Sequence, residues 1–252
     1  QNAQQMKFSY FLILLCFSLL ISCKKEIKYD IIIKNGIVYD GNGGNPQKTD
    51  IAIKADTIAF IGDLSDETDA KEIIDAQGMA VAPGFVNMLS WSTESLIHDG
   101  RSLGEITQGV TLEVMGEGDS MGPLSDSMKV YAQRGQGDIK YKIEWNTLSE
   151  YLNYLEKRGV STNVASFVGA STVRAYELGY ANRPPKAEEL ERMKQHVRKA
   201  MEEGAMGVGS ALIYVPGTYA NTNELIELSK VAAEYGGMYI SHIRSEGNRL
   251  ES

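Results

Sequence analysis

From Val81 onward, apolar runs of strand length alternate with helical stretches, and this alternation narrows the possible folds more than any other feature of the chain. The runs are Val81–Leu89, Val110–Met115, Ser161–Val168, Met206–Leu212 and Met238–Ile243. They are apolar nearly throughout rather than at every second residue, so both faces must be covered, as in a parallel sheet flanked by helices. Helices are predicted between them, including Leu148–Arg158, Lys186–Glu203 and Asn223–Tyr235. The helix at Lys186 follows Arg183-Pro184-Pro185, and Glu188, Glu189 and Glu191 suit its positive end. Gly204 is placed to end it, Thr222 to cap the next helix, and Gly236-Gly237 to end that one. The expected class is α/β, built of successive βαβ units. A closed (β/α) barrel needs eight strands and typically ~250 residues. Residues 81–252 supply five strand candidates, so this stretch is expected to be an incomplete barrel, truncated after strand five.

Upstream, residues 24–80 have a different texture. Tyr29–Lys34, Ile37–Asp40, Asp50–Lys54, Thr57–Gly62 and Glu72–Asp75 are short and rich in β-branched residues. Asn35-Gly36 is a type I′ turn signal. The expectation is a small antiparallel β module, half of a composite sandwich.

The first 23 residues are set apart. Lys7 precedes the apolar run Phe8–Ile21, too short for a spanning helix, which needs ~20 residues. It fits the apolar region of a signal peptide. The run ends Leu20-Ile21-Ser22-Cys23, then Lys24-Lys25, which resembles the lipobox of bacterial lipoproteins and implies export with a lipid anchor at Cys23. A plain anchor helix is the alternative. Cys16 and Cys23 are the only cysteines, so neither a disulfide framework nor a cysteine-based zinc cluster is available to the rest of the chain. The net charge of -8, with no basic stripe, argues against nucleic acid as a partner.

Four stretches carry a family resemblance. They are Gly36–Gly41 with Val81-Ala82-Pro83-Gly84-Phe85, then Gln108-Gly109-Val110-Thr111, then Gly204–Gly217, then Tyr235–Gly247. Over residues 29–252 the chain resembles the amidohydrolase superfamily and, within it, the N-acyl-D-amino-acid deacylases. The resemblance implies a metal-dependent hydrolase of linear amides on a (β/α) barrel, acting on a small-molecule N-acyl amino acid. It implies a divalent metal, zinc, and departures from the family's ligands lead to the expectation of one per active site. The general base that it implies, an Asp near the end of the last barrel strand, is expected beyond Ser252. The stretch alone is expected to be inactive. Two alternatives stand beside it: a cyclic-amide hydrolase, disfavoured because Met206–Leu212 offers no lysine to bridge metals, and a catalytically dead binding lipoprotein.

Of the three histidines, His196 lies within a predicted helix and His98 in a loop or short helix, and neither is expected to bind metal. His242 ends an apolar strand, where catalytic groups of such barrels sit, and matches a family metal ligand. A hydrogen-bonded core histidine is the other reading. The family's His-x-His pair falls on Leu89 and Trp91, neither of which can ligate. Its cysteine falls on Gly118, and a strand-three histidine falls on Ala170. Glu117 or Asp119 could replace the cysteine, shifting the site towards harder metals; Glu117 could equally be a solvated loop acid. Tyr214 is placed to wall the substrate pocket. Arg244 is placed to meet a substrate carboxylate or to pair with Glu246. Glu113, Glu117 and Asp119 are expected to raise one another's pKa unless a cation lies among them.

Overall fold

The computed structural model describes residues 27–247 and residue 250. The stretch expected to be a signal segment, and Cys23, therefore lie outside the described residues. So does Ser252, the position beyond which the general base is expected, and the expectation about that base lies outside them too. The described chain divides into two compact units at Pro83/Gly84.

The first unit is a five-stranded sheet in the order β3-β2-β1-β4, with β5 also paired to β1. Its strands are β1 (Tyr29–Val38), β2 (Gln47–Lys54), β3 (Thr57–Gly62), β4 (Ala70–Asp75) and β5 (Ala80–Val81). Two expectations are corrected. The sheet is mixed, since β4 and β5 run parallel to β1 while β2 runs antiparallel to it. Asn35-Gly36 does not turn a hairpin: β1 runs through it with a bulge between Ile33 and Gly36. Asn35 takes φ 57°, its N–H donates to Asp50 Oδ1 at 2.8 Å, and its amide donates to Asp75 Oδ1 at 2.9 Å. Those partners hold the positive-φ Asn35 within the strand, at the bulge.

The second unit carries two three-stranded parallel sheets, β6-β7-β8 and β9-β10-β11. The strands are β6 (Phe85–Asn87), β7 (Val110–Met115), β8 (Asn163–Ser166), β9 (Val168–Gly169), β10 (Gly207–Ala211) and β11 (Met238–His242). β8 and β9 are one strand interrupted at Phe167, so five parallel strands follow one another in sequence order. The expected strand Val81–Leu89 is split: Ala80–Val81 joins the first unit and Phe85–Asn87 the second. Pro83 between them has no N–H for a ladder.

Seven α-helices accompany these strands among the described residues: α1 (Ser95–His98), α2 (Leu103–Ile106), α3 (Asp126–Gly135), α4 (Leu148–Arg158), α5 (Ala170–Leu178), α6 (Ala187–Glu202) and α7 (Thr222–Glu234). Thr147 and Glu150 form a capping box on α4. The cap of α7 is Asn221, which accepts from Glu224 N, rather than Thr222. Leu148, Leu155, Val173, Met193, Val197, Leu228 and Val231 pack from the helices against Val168 and Val208 of the sheet. This cluster is the main core, and it lies on the helix side of the strands. Within it Arg174 and Glu224, 0% and 1% exposed, form a buried ion pair at 2.6 Å. Arg174 also donates to the carbonyls of Ala181 and Arg183, tying α5 to the loop before α6. No helix among the described residues is long and apolar enough to cross a membrane.

Candidate functional site

Side chains alternate across a strand, so the core assigns the faces. Val168 and Val208 are paired and buried under the helices. Gly169, Gly209 and Ala211 therefore face the opposite, inner side, together with Ile240 and His242, which pair with Gly209 and Ala211. These inner positions are small because another segment lies on them. The loop after β7, Gly116–Asp119, crosses the strand tips here. A β-carbon on Gly209 would run into the Gly116 carbonyl oxygen, and one on Gly169 into the Gly118 carbonyl oxygen. Ser171 N donates to that Gly118 oxygen at 3.0 Å and fastens the loop. Gly116 and Gly118 take φ 94° and 90°, a region that side chains with a β-carbon rarely adopt. Gly118 lies so close that an added β-carbon would be 2.5 Å from Ala211 Cβ.

The structure thus brings His242, at the tip of β11, onto the same inner face as the loop that carries Glu117. The His242 ring is partly buried. Its Nδ1 lies 3.2 Å from the Ile243 carbonyl oxygen, and its Nε2 lies 3.6 Å from Glu246 Oε1. An Nδ1–H donating to that carbonyl leaves the Nε2 lone pair free for a metal. Tyr214, 58% exposed in the loop after β10, meets the imidazole edge-on at 5.4 Å between ring centres. Glu117 is half-buried and makes no hydrogen bond or ion pair with the described residues. No three His, Cys, Asp or Glu converge as a metal site among the described residues. His242 and Glu117 are donors of the right chemistry, one imidazole and one carboxylate, but not a full set.

No family model matches the chain. It is 31% identical to a D-aminoacylase of Alcaligenes xylosoxydans xylosoxydans, over 88% of this chain and 46% of the relative. It is 32% identical to an N-acyl-D-glutamate deacylase of the same organism, over 89% of this chain and 46% of the relative. The crystal structure of D-aminoacylase superposes with a TM-score of 0.76 at 30% identity, covering 88% of this chain and 47% of that one. N-acyl-D-glutamate deacylase from Bordetella bronchiseptica, complexed with zinc and a phosphonate inhibitor, superposes with a TM-score of 0.78 at 29% identity, covering 89% and 47%. Over this stretch the chain is similar to the D-aminoacylase branch of the amidohydrolases. It spans about half the length of the relatives it matches.

The other residues weighed in the sequence have the following surroundings. Arg244 does not pair with Glu246. Its guanidinium donates to the carbonyls of Thr218 and Ala220, both at 2.9 Å, and so pins the loop after β10. The acids do not form a mutually repelling cluster. Glu113 points to the helix side, fully buried, and accepts from Ser90 Oγ at 2.6 Å, Ser102 Oγ at 2.8 Å and Thr162 Oγ1 at 2.9 Å. Burial pushes its carboxyl up, but these hydroxyls, with Ser92, outweigh burial and hold it below the usual range. Asp119 is raised, by burial rather than by a neighbouring acid. The residue as a whole is nonetheless solvent-exposed. Leu89 and Trp91, at the family's His-x-His positions, are 48% and 57% exposed. Ala170 begins α5 and is buried in the helix-side core. His196 packs against Tyr176 with the rings tilted at 50° and lies 3.0 Å from Glu177 Oε1, and His98 is exposed.

The Glu113 hydroxyl cradle and the inner-face glycines escaped the sequence reading. Gly169, Gly209 and Ala211 come from separate strands, and their shared smallness has meaning only once the register is known.

Proposed function

We propose that the whole protein is a metal-dependent hydrolase of linear amides that removes the acyl group from N-acyl-D-amino acids. The observation that carries this reading is the placement of His242 on the inner face at a strand tip, beside a carboxylate-bearing loop. In this reading His242 Nε2 and the Glu117 carboxylate hold one divalent ion, zinc or a harder metal, and further ligands and the general base come from beyond Ser252. The bound ion supplies an activated water and a polarised amide carbonyl. Ile243 holds the imidazole in the metal-binding tautomer through its carbonyl, Tyr214 walls the substrate against the His242 edge, and Arg244 keeps the Tyr214 loop in place. Arg244 thus supports the pocket wall and contacts substrate only if it leaves its two carbonyls. The zinc and phosphonate in the structure of the Bordetella bronchiseptica relative support the choice of metal and reaction.

The proposal includes export and a lipid anchor at Cys23 in a bacterial envelope, supported by the Phe8–Ile21 run and the Ser22-Cys23 pair. Cys23→Ser should release the protein from the membrane fraction.

The central test uses the full-length protein: bound metal by elemental analysis and hydrolysis of N-acetyl-D- and N-acetyl-L-amino acids. One metal per chain and D-selective hydrolysis are expected, with His242→Ala reducing activity at least about hundredfold and releasing metal. Absence of metal, together with no hydrolysis after addition of Zn²⁺ or Mn²⁺, would overturn the reading. A binding role would then fit the side chains at Leu89 and Trp91 better.

A further inference from the structure

A second concavity lies wholly within the second unit. It is a cavity of about 520 Å³ between the residues that follow Gly118, helix α3, the segment leading into α4, the end of α5 and Pro216, which lies in the loop that also carries Tyr214. That volume suits a small organic molecule. Its walls include Asp119, Glu94, Tyr131, Tyr141, Tyr180 and Met128, and no lysine or arginine lines it.

The charged groups in the wall are both carboxylates. Asp119 makes no hydrogen bond or ion pair with the described residues. Glu94 accepts the Tyr141 hydroxyl on Oε1 at 2.9 Å, and its Oε2 accepts nothing from them. Tyr141 is stacked on Trp145, at 6.1 Å and 6° between planes, and Trp145 Nε1 donates to the Met121 carbonyl at 2.7 Å. That wall is therefore rigid. On the facing wall Tyr131 and Tyr180 lie 5.8 Å apart and tilted at 49°.

Aromatic faces with an unpaired carboxylate form a surface for an organic cation. The ring quadrupoles attract the positive charge and the carboxylate neutralises it, while an anionic ligand would meet repulsion with no basic partner. We propose that this cavity binds the alkylammonium end of a small molecule, with Asp119 as counter-ion and Tyr131 and Tyr180 as its aromatic wall. The binding needs neither a metal nor turnover, so it stands or falls separately from the hydrolase reading.

The test uses the metal-stripped full-length protein and calorimetric titration with n-butylammonium, n-butanol and butyrate. Butylammonium should bind, with butanol and butyrate at least about tenfold weaker. Asp119→Asn should weaken butylammonium by about tenfold or more and leave butanol unchanged. Tyr180→Leu, a variant that leaves the carboxylate in place, should weaken butylammonium severalfold. Trp145 fluorescence should respond to the ligand through the stacked Tyr141, and its unliganded spectrum checks that each variant is folded. Equal binding of butanol and butylammonium, or full affinity in folded Asp119→Asn, would overturn the proposal. Failure to bind any of the three probes would do the same.

Discussion

The crossing of the Gly116–Asp119 loop over the inner face can be tested by placing a methyl group where the structure leaves no room. In Gly118→Ala the new carbon would lie 2.5 Å from Ala211 Cβ, and the residue would have to keep φ 90°. The left-handed backbone costs an alanine about 1–2 kcal/mol. Forcing an extra carbon into a packed contact costs about 1–3 kcal/mol. Gly118→Ala should therefore destabilise by about 2–5 kcal/mol. Ala211→Gly alone should cost about 0.5–1 kcal/mol, for backbone freedom in a strand. In the double variant the clash with Ala211 Cβ disappears while the φ penalty stays. Its loss should fall short of the sum of the single losses by about 1–3 kcal/mol. Urea denaturation of the full-length protein measures all three, with the m-value checked for constancy. If the two substitutions add to within about 0.5 kcal/mol, Gly118 does not rest on Ala211 and the loop does not cross where it is described. The same cycle bears on the family cysteine: a thiol side chain at position 118 meets both obstacles in this backbone.

Arg174→Met should destabilise by about 3–5 kcal/mol, because it leaves Glu224 buried without its counter-charge; Arg174→Met with Glu224→Leu should recover most of that loss in a thermal melt. Glu113 has its folded pKa below the unfolded value, so its contribution to stability is full above the unfolded carboxyl pKa and is lost as pH falls through the folded one. Thr162→Val and Ser90→Ala should move that acid loss to higher pH, read as the midpoint of acid unfolding; an unchanged midpoint would remove the hydroxyls as the cause.

The barrel portion was legible because its signals are long and local. The runs ending at Met115, Leu212 and Ile243 all form strands, fully buried in β10, part-buried in β7 and half-exposed in β11, and α4 falls on the predicted stretch Leu148–Arg158. Helix α3 escaped because none of its residues is fully buried, so it lacks a continuous apolar stripe. Helix α5 escaped because Ala170-Ser171-Thr172 reads as a strand's continuation until Gly169 is seen to cap it. At Asn35-Gly36 the turn signal was real in its backbone preference, but Asp50 and Asp75 lie far along the chain and no local rule supplies them. For the candidate site, the strand-end position expected of His242 is where the structure has it, at the last residue of β11. The fate of Arg244 was not, since its partners are main-chain carbonyls, which carry no sequence signature. The three acids looked alike in sequence and diverged in space because β7 turns Glu113 outward before the loop begins.

The grip of Arg244 on Thr218 and Ala220 makes two neighbouring loops mechanically one. A shift at the end of the fifth strand is passed to the segment bearing Tyr214 without any ligand bridging them. Under the proposed hydrolase reading, selectivity tuned by one of these loops is inherited by the other, and a substitution at Arg244 should broaden what the mouth accepts before it alters the chemistry within.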